Sequence, residues 1–125
     1  KIFIDAELSD TLNLICSYEL SCEGITIIKP ATIENNIECI HKSSCYNARF
    51  NLISDSTSSP DINITCAQTI ITDIYDAEDV SPCRGTFTKI EYASNIDISC
   101  PLWGCMYNVF QVNNSQSVTF TVGYE

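Results

Sequence analysis

The sequence predicts an all-β domain: a short, disulfide-stapled β-solenoid whose chain winds in coils, like a parallel β-helix. Three observations carry this reading. An Asn/Asp–aliphatic–x–Cys phrase occurs four times, ending at Cys16, Cys39, Cys66 and Cys100. Apolar residues alternate with polar ones around each copy, the period of a strand with one buried face. A second cysteine follows each first one, at Cys22, Cys45, Cys83 and Cys105, and introduces a further alternating stretch.

The opening strands of the coils are the clearer set. Two residues before the first cysteines stand Leu14, Ile37, Ile64 and Ile98; four before stand Leu12, Asn35, Ile62 and Ile96. Three before stand Asn13, Asn36, Asn63 and Asp97. The aliphatics and cysteines are therefore expected to face inward and the Asn/Asp column to lie outside or at a corner. The closing strands follow the second cysteines. Five residues on come Ile27, Phe50, Thr88 and Phe110; seven on come Lys29, Leu52, Ile90 and Val112, with Phe87 one place out of register. No stretch carries a sustained 3.6-residue period. Pro30, Pro60, Pro82 and Pro101 all fall between these strands, where proline is tolerated.

First cysteine to first cysteine, the repeat measures 23, 27 and 34 residues, the size of one solenoid coil. The extra residues sit in "SDSTSSPD" and "AQTIITDIYDAEDVSP". One domain over residues 1–125 is expected, with coils at about 1–22, 23–45, 46–83 and 84–105 and a half-coil at 106–125. An immunoglobulin-like β-sandwich with "KIFIDAEL" as a donor strand is the alternative fold. Trp103 fits poorly as its core tryptophan, because it lies in the tight loop between Cys100 and Cys105.

Eight cysteines in pairs read as a disulfide framework from an oxidising compartment. The pairs expected are those within a coil: Cys16–Cys22, Cys39–Cys45, Cys66–Cys83 and Cys100–Cys105. Bonds from one coil to the next are the rival, since stacked strands lie within disulfide reach, although parallel Cβ vectors suit them badly. A zinc site has little support: there is no CxxC pair, and His41 is the one histidine. No metal or cofactor is expected.

The phrases "ICSYELSC" and "IECIHKSSC" resemble the I-x-C-x(4)-S-C unit of cysteine-repeat, β-solenoid-like segments in secreted and cell-surface proteins of protists and algae. "ISCPLWGC" departs from it by one missing residue and a Gly for the Ser, and the third copy is interrupted by its long insertion. The resemblance implies an extracellular structural role and transfers no catalytic residue.

The formal charge is −10, from 6 Lys+Arg against 16 Asp+Glu. So few cations assemble no basic patch, which argues against nucleic acid and anionic membranes as partners. No apolar run approaches the length that spans a bilayer. The chain begins at Lys1 and is expected to be a mature or trimmed product of a secreted precursor. Two sequons, at Asn63 and Asn113, make N-glycans the expected covalent partners.

The strongest functional pointer lies at the two ends. With Val122 set where a fifth first cysteine would stand, Phe120 and Val118 fall in the inward columns. The spacing from Cys105 to Val122 is 17, as from Cys22 to Cys39 and from Cys83 to Cys100. Counting back from Cys16 places Ile2, Ile4 and Ala6 as the closing strand of a coil never opened. The two half-coils are complementary, so Ile2, Phe3, Ile4, Val118, Phe120 and Val122 form the expected assembly interface. Head-to-tail docking of this kind gives an open fibre unless it closes into a ring. The function expected is a subunit of an extracellular filament or surface fibre that polymerises with itself.

A secreted carbohydrate-binding module is the rival, with Tyr18, Tyr46, Tyr75, Tyr92, Tyr107 and Trp103 as stacking platforms. Catalysis has little support: His41, beside Ser43 and Ser44, sits in a loop between two cysteines. The acidic run Asp73, Asp76, Glu78 and Asp79 around Tyr75 lacks the spacing of a calcium loop and reads as a solvated face.

Overall fold

A computed structural model describes residues 3–5, 11–28, 34–54, 60–67, 81–100, 104–105 and 107–122. Ten strands run through them: β1 (Phe3–Asp5), β2 (Thr11–Cys16), β3 (Thr26–Ile28), β4 (Glu34–Cys39) and β5 (Arg49–Ile53), then β6 (Asp61–Cys66), β7 (Phe87–Glu91), β8 (Asn95–Cys100), β9 (Val109–Asn113) and β10 (Ser117–Val122). They form two five-stranded sheets, ordered β1-β3-β5-β7-β9 and β10-β8-β6-β4-β2. Odd strands build one wall and even strands the other. Every pairing is parallel. This is the β-solenoid, and the parallel pairing replaces the immunoglobulin-like alternative, whose sheets are antiparallel.

Register follows the repeat. Cys16, Cys39 and Cys66 stand in one column, Leu14, Ile37 and Ile64 in the next inward one, and Asn13, Asn36 and Asn63 outside. On the other wall Ile27, Phe50, Thr88 and Phe110 share a column, and Leu52, Ile90 and Val112 share another. A one-residue slip would turn each aliphatic set outward, so burial pins the register. Thr88 is therefore buried while Phe87, next to it, lies half-buried on the outer face.

The core is the strip between the walls. Ile27, Ile37, Phe50, Leu52, Ile62, Ile64, Ile90, Ile96 and Ile98 are all buried within it. Asn35 is the polar exception in the Leu12–Ile62 column; its Nδ2 donates to the Asp61 carbonyl at 3.3 Å. Disulfides link Cys16–Cys22, Cys39–Cys45, Cys66–Cys83 and Cys100–Cys105, each tying one opening strand to the corner that follows it. These are the within-coil pairs, and no cysteine is free.

The corners stack as regularly as the strands. Cys22, Cys45 and Cys83 N–H groups donate to the carbonyls of Ser44, Pro82 and Gly104 in the next coil, at 2.7, 2.8 and 3.0 Å. Two residues past each second cysteine the backbone turns left-handed, with φ of 64° at Gly24, 54° at Asn47, 71° at Gly85 and 55° at Tyr107. Gly85 also lies against the Asn47 side chain, where a Cβ would collide with the amide oxygen.

Pro60 and Pro82 lie outside the strands; Pro30, Pro101, Lys29 and the acidic run at 73–79 lie outside the described residues.

Candidate assembly interface

Among the described residues each sheet ends in strands that pair on one side only: β1 and β2 at one end of the stack, β9 and β10 at the other. At the second end the inward columns run on to half-exposed residues, with no further strand over them among the described residues. Val118 and Phe120 stand over Ile96 and Ile98 in register. Yet Val118 is 50% exposed and Phe120 47%, against 2% and 1% for the isoleucines beneath. The Phe120 ring meets Phe110 of the opposite wall edge-on, with centroids 5.3 Å apart, and Phe110 and Val112 are only partly buried. Among the described residues the apolar core therefore reaches the end face with Val118 and Phe120 part-exposed.

The other end carries the same two columns without a comparable exposure. Leu12 is buried and Leu14 half-buried on β2, and β1 is held with Ile4 beside Ile27. Val122 stands beside Cys100, at the place of a fifth first cysteine. Ile2 lies outside the described residues.

Charge is distributed unlike that of an ordinary sheet edge. The residues of β2 (TLNLIC), β9 (VFQVN) and β10 (SVTFTV) include no Asp, Glu, Lys or Arg, and β1 has Asp5 alone. Inner strands hold Glu34, Glu38, Arg49, Asp61, Lys89, Glu91 and Asp97. Sheets that meet water at their edges usually carry the reverse arrangement, with charges or proline on the outermost strands to block pairing.

The remaining sequence candidates are dispersed. Asn63 is exposed on the outer face of β6, with Thr65 half-buried two places on. Asn113 is exposed at the end of β9, and the Ser115 hydroxyl donates to its carbonyl at 3.1 Å. His41 is half-buried; the Ser44 hydroxyl accepts the His41 main-chain N–H at 3.5 Å, so this contact does not engage the imidazole. Tyr46 and Tyr107 flank the Arg84 guanidinium, each with its ring centroid 5.7 Å away, a cation–π pair on one corner. Tyr18 is well exposed and Tyr92 half-buried, and neither joins that stack; Tyr75 and Trp103 lie outside the described residues.

Sulfur atoms of neighbouring coils come close. Cys16, Cys22 and Cys45 lie within 4.8 Å of one another, as do Cys39, Cys66 and Cys83, and Cys66, Cys100 and Cys105. All of them are disulfide sulfurs, so these clusters hold no thiolate to offer a metal. A groove of about 350 Å³ on the even-strand wall is lined by Asn13, Asn36, Asn63, Glu34 and Asp61. The Asn36 amide donates across it to Asn13 Oδ1 at 3.0 Å.

What the sequence alone missed are the left-handed corner residues, since Leu20, Ser43, Tyr92 and Tyr107 carry no glycine signal. Comparison of the chain with protein-family models, with curated proteins and with solved structures finds no match. Among the described residues no helix is long and apolar enough to cross a membrane.

Proposed function

We propose that this chain is the structural subunit of an extracellular filament or surface fibre, built by copies docking end to end so that each completes its neighbour's coil. The observation that carries the reading is the β9/β10 end face: uncharged strands that pair on one side only among the described residues, with Val118 and Phe120 exposed over a buried isoleucine layer. Four disulfides in 125 residues fit an oxidising, extracellular setting. Both sequon asparagines lie on the outer surface, so glycans there are compatible with axial stacking.

The test uses the oxidised chain, purified without reductant. Sedimentation and negative-stain electron microscopy against protein concentration are expected to give unbranched fibres above a threshold. The double variant V118K/F120K should keep the wild-type β circular dichroism and remain monomeric. A wild-type chain that stays monodisperse at millimolar concentration overturns the proposal. Specific glycan binding by that monomer would put the carbohydrate-binding reading in its place.

A further inference from the structure

We infer that the four disulfides form one exchange pathway along the core, so that a thiol released at the Cys100–Cys105 bridge is passed from coil to coil while the solenoid stays folded. The inference goes beyond end-to-end assembly and does not depend on it.

The argument starts from how the bridges stack. Strand register places Cys16 beside Cys39 and Cys39 beside Cys66. The corner hydrogen bonds stack the turns that hold Cys22, Cys45, Cys83 and Cys105 in the same order. In each of the three gaps, one sulfur of a bridge lies within 4.8 Å of both sulfurs of its neighbour: Cys45 against Cys16–Cys22, Cys39 against Cys66–Cys83, and Cys66 against Cys100–Cys105. Since Cys39 and Cys45 are themselves one bridge, the three contacts join into a continuous run of sulfur. Cys105 is half-buried and the other seven cysteines are buried, which puts the way in at the fourth coil.

The chemistry is thiol–disulfide exchange, in which a thiolate attacks one sulfur of a bridge and expels the other. A small-molecule thiolate attacking Cys105 Sγ forms a mixed disulfide there and expels Cys100 as a thiolate. Cys100 then attacks Cys66 Sγ: the Cys66–Cys100 bond forms, the Cys66–Cys83 bond breaks, and the electron pair leaves on Cys83. Cys83 lies within 4.8 Å of Cys39, so it attacks that sulfur and expels Cys45. Cys45 in turn attacks Cys22 and expels Cys16. Each step replaces one S–S bond by another and one thiolate by another, so nothing after entry consumes a reductant. Backbones one layer apart, at about 4.8 Å, fall inside the roughly 4.4–6.8 Å that a disulfide spans, so the new bonds need no unfolding. Burial adds direction. Outside thiols are kept from seven of the sulfurs, and the neighbouring bridge is the partner within reach.

The test places one thiol at a known position without any added reductant. C105A leaves Cys100 as a thiol beside Cys66–Cys83. The folded variant is held dilute at about pH 8.5, where an ordinary thiol is half ionised, then quenched in acid, alkylated and mapped without reduction. The expected result is a Cys66–Cys100 peptide, with the alkyl label shifted to Cys83, Cys45 or Cys16 and the β circular dichroism unchanged. The wild-type chain given substoichiometric reduced glutathione supplies a second reading, which decides the matter should C105A not fold. There the label is expected to spread to cysteines of the first three coils. A label that stays on Cys100 in folded C105A, or never leaves the fourth coil in the wild type, overturns the pathway. So does exchange that quickens with protein concentration, since that would place it between molecules.

Discussion

Thr88 is the residue at which pattern and packing disagree. Its column partners are Phe50 below and Phe110 above, and Ile90 two places on is fully buried. The neighbouring column fixes the strand, so a threonine enters the core and Phe87 stays outside. The Thr88 Oγ1 is buried and finds no hydrogen-bond partner. An unsatisfied buried hydroxyl costs on the order of 1–3 kcal/mol. Thr88→Val, which keeps the shape and removes the polar atom, should raise stability by about 1 kcal/mol, seen as a higher urea midpoint at unchanged slope. A lower midpoint would mean that the hydroxyl is bonded after all. Inward residues such as Ile37 and Ile98 were legible in the sequence because alternation reports a face directly. The left-handed backbone at Tyr107 (φ 55°) and Leu20 (φ 57°) was not. There the chain is turned by the closure of the coil, through the disulfide and the stacked corner hydrogen bonds, and no local residue preference announces it.

At the scale of the element, the disulfides do work that the narrow core cannot do alone. Seven of the ten strands were legible as alternating stretches ending at or following a cysteine, and β1 and β10 from the same spacing carried past the first and last cysteines; β3, at Thr26–Ile28, is short enough that its alternation rests on Ile27. The connection after Cys66 carries no such pattern, and most of it lies outside the described residues. Two bridges allow the loop effect to be separated from packing. Cys39–Cys45 spans a separation of 6 and Cys66–Cys83 one of 17, and all four cysteines are at most 1% exposed. Replacing either pair by alanine removes similar buried volume. In the chain-entropy account the longer loop should then cost about 1 kcal/mol more, roughly 3 against 2. Urea denaturation of C66A/C83A and C39A/C45A measures the difference. Equal or reversed midpoints would mean that the stabilisation lies in local packing and not in restricting the unfolded chain.

For the whole molecule, the proposed end-to-end docking has to bring together copies that each carry a charge of −10. The placement of charge along the axis supplies an answer. Among the described strands of the even wall the last acid toward β10 is Asp97 on β8, and the first from the β2 end is Glu34 on β4. In the proposed docking of β10 beside a second copy's β2, these two uncharged strands would stand between them and set the carboxylates three layers apart, about 14 Å. That distance exceeds the screening length of about 8 Å at 0.15 M salt and falls well inside the 30 Å or so at 0.01 M. Assembly should accordingly be held back at about 0.01 M and released by about 0.15 M, with little further gain beyond, because β10 and β2 carry no charged residue to pair across the proposed contact. Lowering the pH toward the sequence pI of about 4.2 should act in the same direction by neutralising carboxylates. The threshold concentration for fibres, measured by sedimentation across a salt series at fixed pH, tests this. A threshold that rises with salt would mean that opposite charges hold the copies together, and the bare edges of β2 and β10 would then have to be explained some other way.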